Sequence, residues 1–153
     1  MKLLCRIIVV TGLMLVAAPL PAAGNDVFGT WLTGDGDGWV TITPNGTGLS
    51  GVIAGSPNDD AERSTVDDKN PDPELRSRKL IGLELFTGFR FDGDDRWVDG
   101  TIYDPNSGKT YRCIITIRDR NTLRVRGYIG FSLLGRTETW TRRIEADDSG
   151  EPD

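Results

Sequence analysis

The sequence predicts an all-β fold: an eight-stranded antiparallel up-and-down barrel, with a short helix or lid inserted near residues 72–80. Three observations carry this. Short apolar runs recur at close spacing, separated by turns such as GDGDG (34–38), PNGTG (44–48) and DPNSGK (104–109), and Gly/Asn/Asp turns of this kind join antiparallel neighbours. Several runs alternate apolar with polar residues, the period of a strand with one buried and one wet face. The connections are mostly of hairpin length, and closing such a meander removes its exposed edges. A two-sheet sandwich satisfies the same pattern and stays open at this stage.

The first residues do not belong to that pattern. Lys2 and Arg6 give a positive start, an apolar run extends from Ile7 to Leu20, and the small residues Ala22, Ala23 and Gly24 follow. This is the layout of a secretory signal peptide, and the run is short for a membrane span. The expected organisation is a signal peptide over 1–24, a single barrel domain over 25–144 and an acidic tail, EADDSGEPD, over 145–153 whose composition favours disorder. The corresponding location is exported, periplasmic or secreted, with no integral span after cleavage; an uncleaved anchor is the other reading.

Removing 24 residues leaves 129, enough for one core. It also leaves 16 Lys and Arg against 23 Asp and Glu, a net charge of −7. Such a domain is a poor candidate for binding nucleic acid or an anionic membrane surface through its net field. The chain has no His, which excludes His-based acid–base catalysis, Ser-His-Asp triads and His-ligated zinc. Cys5 lies in the signal segment, so Cys113 stands alone in the domain and no internal disulfide can form.

In chain order, strands are predicted at 28–32, 39–43, 49–54, 83–91, 97–103, 111–118, 123–129 and 134–142. Tyr111, Cys113, Ile115 and Ile117 share one face, opposite Arg112, Thr116 and Arg118. Leu123, Val125 and Ile129 likewise oppose Arg124, Arg126 and Tyr128. Between the third and fourth strands lies a polar gap containing DKNPDPELRSR (68–78). Asn70 before Pro71 is driven out of helix, and Asp72-Pro73-Glu74 is a helix start with Asp72 as cap. A turn followed by a helix over about 73–79 is expected, packed by Leu75 and Leu80 on the barrel mouth.

The candidate ligand-binding residues are Arg76 and Arg78, which could meet an anionic group, and Tyr128, whose hydroxyl could line a cavity wall. The competing reading has the two arginines pinning the segment to Asp67, Asp68 or Glu74. The glycines of RGYIGFSLLGRT (126–137) read as barrel curvature or a cavity wall. GDGDG lacks the further acidic ligands of a calcium loop and reads as a hairpin turn. Cys113, in register with Ile115 and Ile117, is expected to be buried and inert. No catalytic residue, metal or cofactor is indicated.

The stretches DDKNPDPELRSRKLIGLELFTGF, WVDGTIYDPNSGKTY and LRVRGYIGFSLLGRTETWTR, with GTWLT at 29–33, resemble a bacterial secreted family catalogued only as a domain of unknown function, number 2147. The resemblance implies an exported bacterial protein with a lipocalin-like barrel, and it supplies no activity. Gly29-Thr30-Trp31 also resembles the Gly-x-Trp opening of the lipocalin superfamily, in which an Arg of the last strand packs over the Trp. Arg142 occupies the matching place, so Trp31 and Arg142 are the expected structural signature. The leading functional expectation is a non-enzymatic barrel for a small, partly apolar or anionic ligand. The alternative is a filled barrel that meets a protein partner in the envelope or protects against stress; a carboxylate hydrolase is a third reading. N-terminal sequencing of the protein recovered from its own cells tests export: a start near residues 22–24 is expected, and a start at Met1 refutes it.

Overall fold

Alternation and turn chemistry yield the sheet they predict. In a computed structural model describing residues 24–57 and 65–144, nine β-segments make one antiparallel sheet. They are β1 (Gly29–Leu32), β2 (Trp39–Asn45), β3 (Gly48–Gly55), β4 (Phe86–Thr87), β5 (Arg90–Phe91), β6 (Arg96–Asp104), β7 (Lys109–Asp119), β8 (Thr122–Tyr128) and β9 (Gly135–Arg142). Residues 1–23 of the expected signal segment and the acidic tail lie outside the described residues.

The predicted strand at 83–91 is divided into β4 and β5 by Gly88, whose φ of 75° lies outside the extended range. The partner strand β6 is irregular at the same level, with Asp99 at φ 67° and a register shift between Trp97 and Gly100. The kink has a packing use: the Phe89 ring lies against Gly100, where an added Cβ would come within 2.4 Å of it. Counted as one strand, β4 and β5 make the sheet eight-stranded.

β1 to β3 and β6 to β9 pair with their sequence neighbours, β4 and β5 both pair with β6, and β1 pairs with β9. The last seam lies between β3 and the segment before β4. It is stitched by Gly82 N–H to Ile53 C=O (2.8 Å), Ile53 N–H to Leu83 C=O (3.0 Å) and Leu85 N–H to Gly51 C=O (2.7 Å). The result is a nearly closed up-and-down barrel, with helix among the described residues limited to 3-10 turns at Gly24–Val27 and Pro73–Leu75.

One end is filled. Phe86 stacks on Trp140 at 5.7 Å and meets Phe89 edge-on at 5.4 Å, while Trp97 touches Phe28 and Phe91. Trp31, Ile42, Ile115, Ile117 and Leu123 complete this core, each nearly or fully buried. Cys113 lies among them, and burial pushes its thiol up to about 12, as its register predicts.

The filled end is locked by Arg142. Its guanidinium lies 4.1 Å from the centre of the Trp31 ring. It donates to the carbonyls of Phe28 (2.8 Å), Asp26 and Arg120, and the Trp31 indole N–H donates to the Val27 carbonyl at 2.8 Å. Gly29 makes room for this. Its φ is 136°, and a Cβ there would collide with an Arg142 nitrogen at 2.3 Å. Arg142→Ala removes a desolvated cation–π contact and three donor bonds at once. The expected loss is about 2–3 kcal/mol, read from the denaturant midpoint; an unchanged midpoint would refute the clamp.

Candidate functional site: a half-open cavity under an anchored loop

The opposite end of the barrel is not filled. A cavity of about 1170 Å³ opens there, between the β1–β2, β3–β4, β6–β7 and β8–β9 connections. Its walls are mainly apolar, with Val40, Ile53, Leu85, Ile102 and Val125 projecting inward and Trp140 marking the boundary with the core. Gly127 leaves part of the wall without a side chain: an added Cβ would stand 3.6 Å from the Tyr111 Cβ and 3.9 Å from an Ile102 methyl, ordinary contact distances. Polar side chains gather towards the mouth, Asp35, Asp37, Lys79, Asp104 and Asn106 among them. Glu138 accepts from the Trp140 indole N–H at 3.2 Å and pairs with Arg136 at 3.3 Å, and Tyr128 reaches the wall near the mouth.

The β3–β4 connection bends over the side of this mouth. Its 3-10 turn is three residues long, against the predicted helix over 73–79. The Asp72 carboxylate does cap it, accepting from the Glu74 amide at 3.0 Å. The helix stops because the chain is already committed elsewhere. Asp67 N–H bonds to Arg78 C=O and Leu80 N–H to Thr65 C=O, both at 3.0 Å, so Val66 and Lys79 form an isolated antiparallel bridge. That pulls residues 78–80 into extended chain. Leu75 is left exposed at 39 %, not packed as expected, whereas Leu80 does pack on the core.

A buried carboxylate organises the loop. Asp67 is fully buried and accepts from the Tyr103 hydroxyl (2.6 Å), the Asn70 amide (2.7 Å) and the Arg78 guanidinium (2.8 Å). Arg78 also lies 5.7 Å from the centre of the Tyr103 ring. Burial alone would raise the Asp67 carboxyl, but bonds from Tyr103, Asn70 and Arg78 and the Arg78 charge outweigh it and hold it below its ordinary value. Tyr103 moves up, through burial and its bond to Asp67. The Arg76 guanidinium donates to the Asn70 carbonyl at 2.8 Å, and the Lys69 ammonium to the Asn106 carbonyl at 3.0 Å. Gly108 lets the Lys69 carbonyl approach closely, where any Cβ would overlap it.

Of the predicted site residues, Tyr128 lines the cavity, while Arg76 and Arg78 do not and spend their donors inside the loop. Trp31 and Arg142 meet at the filled end and do not line the cavity. Gly127 is one of the glycines read as curvature or a cavity wall, and it falls between the inward positions Val125 and Ile129. Glu138 escaped the sequence reading, although it lies two residues before Trp140 on the face that also carries Arg142. Among the described residues no cluster of three or more His, Cys, Asp or Glu side chains could hold a metal ion, and no helix is long and apolar enough to cross a membrane.

Residues 29–142 match the family described as an uncharacterized protein conserved in bacteria, DUF2147. The chain belongs to that family. The barrel of this DUF2147 chain is also similar to a solved structure, a Helicobacter pylori protein described as belonging to the lipocalin family. The TM-score is 0.69 at 20 % identity, covering 76 % of this chain and 82 % of that one. At that identity the likeness speaks for the lipocalin-like fold. Among curated proteins none matches the DUF2147 sequence.

The Asp67 network makes the loop acid-sensitive. A carboxyl held below its ordinary value of 3.8 stabilises the folded loop fully above about pH 4, and that contribution is lost as pH falls through the depressed value. Hydrogen exchange, corrected for its intrinsic pH dependence, should therefore show residues 65–80 losing protection below about pH 4 before the strands do. Asp67→Asn should show the loosened loop already at pH 7. Equal protection of loop and strands down to pH 3 would refute the role given to Asp67.

Proposed function

We propose that this protein is an exported, non-enzymatic barrel that takes one small, partly apolar molecule into its cavity. The cavity carries the reading. About 1170 Å³ above a filled core matches the upper range of small-molecule sites, roughly 300–1000 Å³, once its open mouth is allowed for. Apolar walls supply the drive for binding, and the polar groups near the mouth supply orientation. Export is supported by the charged, apolar and small segments of the first 24 residues. The lipocalin-family description belongs to the Helicobacter pylori neighbour and supports a carrier role here by fold alone.

Binding rather than catalysis is favoured by the state of the reactive groups. Glu138 is occupied by Arg136 and Trp140, and burial drives the Cys113 thiol away from the reactive thiolate form. A filled barrel working only through its outer surface needs side chains where this cavity lies, so the same volume speaks against it.

Gly127→Leu tests the proposal, because the new side chain projects into open cavity with ordinary contacts at its Cβ. Native mass spectrometry of protein from its own envelope should show a bound small molecule, and N-phenylnaphthylamine should fluoresce on binding. Gly127→Leu should weaken both by about tenfold or more, a loss of about 1.4 kcal/mol, with little change in melting temperature. Wild-type protein that carries nothing and ignores the probe, or a variant that binds as wild type does, would overturn it.

A further inference from the structure

The β8–β9 connection is apolar where a surface hairpin is normally polar. Phe131, Leu133 and Leu134 are 80 %, 90 % and 72 % exposed, and Ile129 beside them is 65 % exposed. Across the same mouth Ile81 is 69 % exposed, and Ile81, Ile129 and Leu134 all border the cavity. Clustered exposed apolar side chains of this size mark a surface that something covers.

The hairpin is held in this display. The Leu134 amide donates to the Phe131 carbonyl at 3.0 Å, and Gly130 supplies the turn with φ 69°. The Arg126 guanidinium grips the Ser132 carbonyl through two nitrogens and reaches the Thr137 hydroxyl at 2.7 Å. Folding back onto the barrel would break these bonds.

The charge around the tip runs against that of the molecule. Arg112, Arg124 and Arg126 share the outer face of β7 and β8, where their register neighbours are Tyr128, Thr116 and Ile114. On β9 the same face continues with Thr137 and Thr139. No ion pair among the described residues uses Arg112, Arg124 or Arg126. An acidic chain whose mouth carries Asp35, Asp37 and Asp104 thus keeps, among the described residues, a basic band behind its apolar tip with no acidic register partner on β7, β8 or β9.

We infer that the β8–β9 hairpin docks the mouth of the barrel on an anionic lipid surface, with Phe131, Leu133 and Leu134 entering the headgroup–acyl boundary and the arginine band facing the phosphates. Apolar insertion coupled to basic flanks is the chemistry of interfacial membrane binding. A protein groove would accept the apolar tip but gives no reason for a band of arginines without ion-pair partners beside it. Docking does not depend on the cavity holding a ligand, so it stands or falls separately from the carrier reading.

The test is co-sedimentation of protein purified from its own cells with vesicles of phosphatidylethanolamine and phosphatidylglycerol, and with phosphatidylcholine vesicles. Binding to the anionic vesicles is expected, weaker binding to the neutral ones, and a fall when salt is raised from about 0.1 M to about 1 M. Phe131→Ser with Leu133→Ser should lower binding about tenfold or more at unchanged melting temperature, since both side chains are exposed. Arg112→Gln with Arg124→Gln should lower only the anionic preference. No co-sedimentation, or loop-variant binding equal to wild type (as retained leader would give), overturns the inference. So does a wild-type dimer that the loop variant dissolves.

Discussion

Arg142 closes a problem that every β-barrel has: its first and last strands are the farthest apart in sequence. Only Trp31 and Leu32 of β1 pair with β9, through Arg142 and Thr141. So short a ladder is a weak seam, and the guanidinium reinforces it from inside. It covers an indole on β1, holds carbonyls from the segment before β1, and holds a third carbonyl in the β7–β8 turn. Burial lowers its pKa, yet an arginine remains charged, so the clamp does not switch off at physiological pH. Because the filled end is locked this way, the other end can stay open without the sheet splaying.

Much of this architecture was legible residue by residue. Cys113, Ile115 and Ile117 alternate with polar neighbours, and all three are buried. Leu123 and Val125 face the core as their spacing required. The Trp31–Arg142 contact followed from a resemblance and was met in the structure. The division of the fourth strand was not legible, because it depends on how Phe89 packs over Gly100 on another strand. Local periodicity carries no record of that distance.

The site was less legible than the fold. Asp67 was one candidate partner among several for Arg78, and only the tertiary position of Tyr103 selects it. The cap at Asp72 was readable because capping is local, whereas the length of its helix was not, because Val66 and Lys79 meet across the loop. The cavity itself is a statement about missing volume. Identical apolar positions on a strand fill one half of the barrel and line empty space in the other, and what differs is the size of the residues opposite.

That division along the axis has an evolutionary consequence. The residues that hold the fold, such as Trp31, Phe86, Trp140 and Arg142, lie at or below the cavity's boundary, while the partly buried Ile53 and Ile102 face open volume. A buried large-to-small change in the first group leaves a void costing about 2–5 kcal/mol, a large part of a domain's stability. Exchanges in the second group alter the shape of a space that is already empty. Selection can therefore retune what the cup accepts while the foundation stays fixed, so one scaffold can diversify in specificity without first acquiring surplus stability.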